Sequence, residues 1–195
     1  MEWGASRCAH YKQRGDLSMS ELEDFRKAKD HFFAHDPHSP LTVEQRRKFT
    51  GLEYFPENSD LRLELEIDEL PDQDVIEMQT STGDVQRHTR YGKIRFTVGG
   101  EPVELTIYTD PHGFFLPFVD SLAGKETYGA GRYLEPQPIG EGKVLVDFNY
   151  AYNPYCAYND RYSCPLTPWE NRLKVPILAG EKLPGGDWVG DKAYA

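Results

Sequence analysis

The residues best suited to chemistry gather in one stretch, Lys143 to Lys182. It holds two of the three cysteines, five of the twelve tyrosines and four of the fourteen prolines. That bias marks a site or a tightly packed loop, because a plain linker has no use for large rings. Cys156 and Cys164 compete for three readings. A nucleophilic thiolate needs a neighbouring base or cation, yet none of His31, His35, His38, His88 and His112 is adjacent in sequence. No cysteine-hydrolase signature surrounds Cys156. A metal centre asks for CxxC pairs, and the spacing from Cys156 to Cys164 does not supply one. The third reading is two packed, inert thiols or a reversible disulfide.

Three further groups carry polar chemistry. Alternation along Lys143–Tyr152 and on to Asn153 places Asp147, Asn149 and Asn153 on one face, with Val146, Phe148, Tyr150 and Tyr152 on the other. Buried, the polar face lines a cavity that needs partners; turned outward, it meets solvent while the rings make the core. Glu126, Tyr128 and Arg132 present a carboxylate, a phenol and a guanidinium along one extended run. Arg132 either holds a ligand anion through paired hydrogen bonds or neutralises Glu126 or Asp147. Glu170 and Asn171, behind Pro165 and Pro168, offer an acid and an amide, or else a solvated charge and a turn cap. Together with Cys156 these are the candidate ligand-binding residues. His31 and His35, four apart on a helix and followed by Asp36 and His38, are weighed as metal ligands and set aside, so neither metal nor cofactor is expected.

The elements that must position them start with helices. Ser20–Ala34 reads as one, with Ser20 and Glu23 as a capping box and Leu22, Phe25, Lys29, Phe32 and Phe33 as its stripe. Thr42 caps a second over Val43–Phe49, closed by Gly51. From Leu52 the period changes to alternation: Leu61, Leu63, Leu65 and Ile67 interleave with Arg62, Glu64, Glu66 and Asp68. Asp74–Thr80, Asp84–Tyr91, Gly92–Val98, Val103–Tyr108, Phe114–Val119, Lys143–Tyr152 and Leu173–Leu178 follow as strands. Gly99-Gly100 signals a hairpin, Ser81–Asp84 a weaker one, and Pro117 an edge or bulge. The chain is therefore mainly β: an antiparallel β-barrel or sandwich of about nine to ten short strands with two N-terminal helices. Residues 1–18 read as an extension, and 19–195 as a single domain: a helical segment to 51, a β domain over 52–182 and a tail.

Composition narrows the function classes. The 195 residues, 38% hydrophobic and 28% charged, suit a globular domain, and no apolar run reaches the roughly 20 residues of a membrane span. A net charge of −10 argues against nucleic acid and against anionic membranes. Three cysteines make no disulfide framework, which points to a reducing, cytoplasmic setting. No oligomeric state is specified.

Several long words carry a resemblance. RYGKIRF (Arg90–Phe96), FFLPFVD (Phe114–Asp120), ETYGAGRYL (Glu126–Leu134), DFNYAYNPYCAY, CPLTPWENRL and AGEK arrive in an order similar to that of a bacterial and archaeal family catalogued as domain of unknown function 1684. Ser39–Leu41 and GLEYFP resemble it too. The resemblance spans most of Leu52–Lys182 and implies membership, with no activity, cofactor or catalytic residue attached. The residues themselves lead to a protein that binds a small polar or anionic molecule in a polar-aromatic β cavity. The rivals are a hydrolase-like enzyme using Cys156 or paired carboxylates, and a structural protein whose aromatic loop docks a partner.

Overall fold

The computed structural model describes residues 19–185, and the chain divides into two compact units, Met1–Leu52 and Glu53–Ala195. The expected extension 1–18 lies outside the described residues. In the first unit, α1 (Met19–His35) buries Leu22, Lys29 and Phe33. It begins at Met19, so Ser20 falls inside the first turn rather than at the cap. The second helix, α2 (Val43–Lys48), is closed by a complete box: Thr42 accepts from the Gln45 amide, and the Thr42 amide donates to Gln45 Oε1. Phe33 stacks on Phe49, and the Leu52 amide donates to Asp30 at 2.9 Å. His31 and His35 sit ring to ring at 4.7 Å, and among the described residues no cluster of three or more His, Cys, Asp or Glu side chains could hold a metal ion.

Among its described residues the second unit holds nine strands: β1 (Arg62–Glu66), β2 (Asp68–Glu69), β3 (Val75–Gln79), β4 (Val85–Val98), β5 (Glu101–Asp110), β6 (Gly113–Phe118), β7 (Arg132–Leu134), β8 (Gln137–Gly140) and β9 (Lys143–Asp147). They form two antiparallel sheets, β1-β9-β8 and the six-stranded β2-β4-β5-β6-β7 with β3 also on β4. Among the described residues no barrel closes. Val144 and Val146 from the small sheet, with Leu61 from the 3-10 turn just before β1, join Ile94, Val103, Leu105, Ile107, Leu116, Phe118 and Leu134 from the large one in a single core. No described helix is long and apolar enough to cross a bilayer.

The Gly99-Gly100 hairpin is present, with both residues at positive φ between β4 and β5. Three strand expectations need correction. Asp84–Tyr91 and Gly92–Val98 are one strand, β4, irregular in register between Arg90 and Gly92. Gly92 marks a close approach, since a Cβ there would stand 2.5 Å from Ile67 Cγ2. The run from Lys143 stops at Asp147, whose carboxylate caps the short 3-10 turn Phe148–Tyr150 through the Asn149 amide. Side chains beyond Asp147 therefore leave the two-residue period. Leu173–Leu178 is not a strand: Pro176 lacks a donor, and the carbonyl of Ile177 turns to a side chain.

That side chain is Arg132, at the start of β7 and 1% exposed. Nη2 donates to Asp120 Oδ2 at 2.7 Å and to the Ile177 carbonyl at 2.9 Å; Nη1 donates to the carbonyls of Ala179 (2.5 Å) and Glu181 (2.9 Å). The Asp120 side chain is 0% exposed and also takes the Thr127 hydroxyl and the Leu122 amide. One guanidinium thus fastens the irregular segment 177–181 to the end of the large sheet. Arg132→Ala should leave a carboxylate and three carbonyls without their donor and cost on the order of 3–5 kcal/mol in a denaturant melt. Arg132→Lys should recover only part, because an ammonium cannot span four acceptors in a plane. A loss under about 0.5 kcal/mol for Arg132→Ala would contradict this.

Candidate functional site

The polar residues singled out by sequence do not converge on one cavity. Arg132 meets Asp120, not Asp147 or Glu126, because β7 pairs with β6 and so faces the residue just past β6's end. Asp147 instead lies 3.5 Å from Arg62, its register partner on β1. Burial pushes the Arg132 pKa down, and Asp120 and then Glu181 oppose it. Glu126 is half exposed, with Lys182 Nζ at 3.5 Å.

The asparagines are buried and act as substitutes for backbone. Asn149 takes the Asn58 amide at 2.8 Å and returns its own NH2 to the Asn58 carbonyl at 3.0 Å, which is the reciprocal pairing of a β-ladder. Asn171 does the same with Thr106 on β5: it accepts from the amide and donates to the carbonyl, both at 2.8 Å. It donates again to the Pro117 carbonyl on β6 at 2.7 Å. The β5–β6 ladder ends at Tyr108↔Phe115. Asn171 fills the next position, where Pro117 has no N–H to offer. Asn153 donates through Nδ2 to the Lys182 carbonyl and to Tyr158, and through its backbone amide to Glu181 Oε2. Tyr158 also donates to Glu181, and burial, then that carboxylate, raises its pKa.

Two clusters keep chemical potential. The first is the thiol pair. The Cys156 amide donates to Cys164 Sγ at 3.3 Å, and the Tyr128 hydroxyl lies 3.8 Å from Cys156 Sγ. Both cysteines are buried and free. The Cys164 thiol, then the Tyr128 and Ser81 hydroxyls, hold the Cys156 pKa down at about 7 against burial, while the same contact and burial push Cys164 up. The sequence carries no sign of this, because Tyr128 and Ser81 approach from distant segments. These partners, a thiol and hydroxyls, offer no general base of the kind a hydrolase would take from histidine.

The second cluster lies on the large sheet's face turned away from the core. Arg90 and Tyr108 are opposite one another on β4 and β5, and both donate to Glu170 Oε1, at 2.7 and 2.8 Å. Burial raises the Glu170 pKa, but its own amide, Arg90 and Tyr108 outweigh it and hold the carboxyl below its usual range. Burial and then Glu170 drive the Tyr108 phenol up. Arg90 and Glu170 side chains are each 35% exposed. Trp169, beside Glu170, is 83% exposed with Arg172 over its ring. Sequence reasoning misses Arg90 and Tyr108 because only strand register brings them to Glu170. Elsewhere, an open cleft of about 550 Å³ runs between Glu64–Asp68 and Lys93 and Arg95, where Arg95 pairs with Asp68 at 2.9 Å and Lys93 with Glu104 at 2.6 Å.

His88, on β4, is buried and stacked on Phe115 at 5.1 Å, and neither ring nitrogen has a hydrogen-bond partner among the described residues. Burial lowers its pKa below the ordinary 6.5, with Asp110 opposing. The unfolded chain then takes up a proton that the folded chain refuses, so stability is full above 6.5 and falls as pH drops through the window beneath it. Thermal melts between about pH 5 and 7.5 should show a slope that His88→Phe flattens. An unchanged slope in that variant would contradict a neutral, packed imidazole.

No curated protein matches the chain. The solution NMR structure of an uncharacterised protein of Haloarcula marismortui is similar, with 34% identity and a TM-score of 0.64 over 84% of this chain and 92% of that one. The model of the family described as Protein of unknown function (DUF1684) matches residues 47–182. That segment carries both candidate clusters together with Arg132, Asn149 and Asn171, and the chain belongs to that family.

Proposed function

We propose that the protein binds a small polar molecule at the part-exposed Glu170 and Arg90, backed by the buried Tyr108 and beside Trp169. The observation that supports this most is the presentation of Glu170. Its carboxylate is fixed by two donors on rigid strands, kept ionised, and left about one-third open. The turn that carries it is anchored one residue later by Asn171, wedged between β5 and β6. A mount so firm beside a tryptophan with most of its surface in solvent suits recognition of a hydrogen-bond donor with a flat apolar part. Arg132 has no part in this site, because both its terminal nitrogens are bonded to Asp120 and three carbonyls. Hydrolysis on Cys156 draws little support, as its partners are a thiol and hydroxyls. The shared core of the two sheets favours a sandwich over a barrel, and the cysteine usage favours the cytoplasm.

Native mass spectrometry of protein purified from its source tests this. We expect a bound mass in the wild type that Glu170→Gln and Trp169→Ala both lose, with melting temperatures within about 2 °C of wild type because neither change opens the core. A bound mass retained by both variants, or a macromolecular partner in its place, would refute the assignment.

A further inference from the structure

Outside that cluster, the thiol pair has no part in holding the sheets together, and its surroundings are specific. Cys156 sits in the 3-10 turn Tyr155–Ala157, and Cys164 lies eight residues on, at the other end of a loop whose middle, Asp160, Arg161 and Ser163, is exposed. The far end is pinned to the β3–β4 turn: Ser81 donates its amide to the Cys164 carbonyl at 2.9 Å, and its hydroxyl accepts from the Cys164 amide at 3.1 Å. The same hydroxyl donates to the Tyr162 carbonyl at 2.9 Å. The near end packs on Tyr128, whose hydroxyl is 3.8 Å from Cys156 Sγ. Two sulfurs are therefore kept side by side by two separate anchors. Inert packing would need neither the Tyr128 hydroxyl at 3.8 Å from Cys156 Sγ nor the Cys156 amide aimed at Cys164 Sγ.

We propose that Cys156 and Cys164 are a reversible redox site, in which Cys156 is oxidised by a small hydroperoxide and Cys164 resolves the product to an intramolecular disulfide. The Cys156 thiolate attacks the peroxide; the O–O bond breaks, the sulfur takes the hydroxyl as a sulfenic acid, and the displaced oxygen leaves as water after gaining a proton. Cys164 sulfur then attacks that sulfenic sulfur, the S–O bond breaks, and the hydroxyl leaves with the Cys164 proton as a second water. The net change is two thiols and one hydrogen peroxide to one disulfide and two waters. A dithiol reductant reverses it by thiol–disulfide exchange. The Cys164 and Tyr128 contacts favour the Cys156 thiolate and leave the proton on the resolving sulfur, the division of labour the two steps require. Burial of both residues admits an oxidant the size of hydrogen peroxide ahead of bulky ones.

The full-length protein treated with a stoichiometric amount of hydrogen peroxide tests this. Intact mass should fall by about 2 Da, peptide mapping should place the new link between Cys156 and Cys164, and dithiothreitol should restore both thiols. In Cys164→Ser the link cannot form, and Cys156 should instead be captured as a dimedone adduct of its sulfenic acid. The wild-type link decides the question even where that variant folds poorly. Absence of a link, oxidation of Cys156 to sulfinic acid with Cys164 left intact, or a disulfide through Cys8 would each overturn the proposal.

Discussion

A guanidinium buried in a protein interior is tolerable only when its donors are met, since an isolated ion there costs several kcal/mol even after relaxation. Arg132 meets that condition with one carboxylate and three carbonyls, and the carbonyls all belong to a five-residue span, Ile177–Glu181. The dependence runs both ways. The charge requires the loop to come back across the end of the large sheet, and the loop, lacking a ladder of its own, requires the charge. Rings of Phe55 and Phe118 lie over the guanidinium at 5.8 and 5.2 Å and close it from water.

The asparagines extend the same solution. Irregular chain has unpaired peptide groups, which buried surroundings do not forgive. Asn149 and Asn171 each offer an acceptor and a donor in peptide-like geometry, so they complete ladders where the backbone cannot. Held in this way, the long stretch after β9, whose described residues form no strand, can keep Glu170 in one place against Arg90 and Tyr108, and keep two sulfurs adjacent. The rigidity of both candidate sites is a product of polar stapling more than of sheet pairing.

Much of this was legible in sequence where the governing physics is local. Alternation in Leu61–Ile67 marks β1, and Gly99-Gly100 marks the β4–β5 hairpin because positive φ is a property of two residues. The need of buried Asp147, Asn149 and Arg132 for partners was readable; which partners was not. Register decides that Asp147 faces Arg62 and that Arg132 lies beside Asp120, and register is a long-range quantity. The same holds for the thiols, whose environment comes from Tyr128 and Ser81, 28 and 75 residues before Cys156 in the chain. Strand propensity misread Leu173–Leu178, because its valine, isoleucine and leucines fit a strand while the Ile177 carbonyl serves Arg132.

Native-state amide hydrogen exchange addresses the stapled loop most directly. The amides of Asn153, Leu173, Glu181 and Lys182 are bonded to Glu181, Val119, Ala151 and Glu53, all outside any ladder. If the buried guanidinium binds this segment into the cooperative fold, these amides open only with global unfolding and exchange as slowly as Leu105 and Ile107 in the centre of β5. Exchange at the four positions more than about a hundredfold faster than at β5 would mean that the loop opens by itself, and that Arg132 does not hold it.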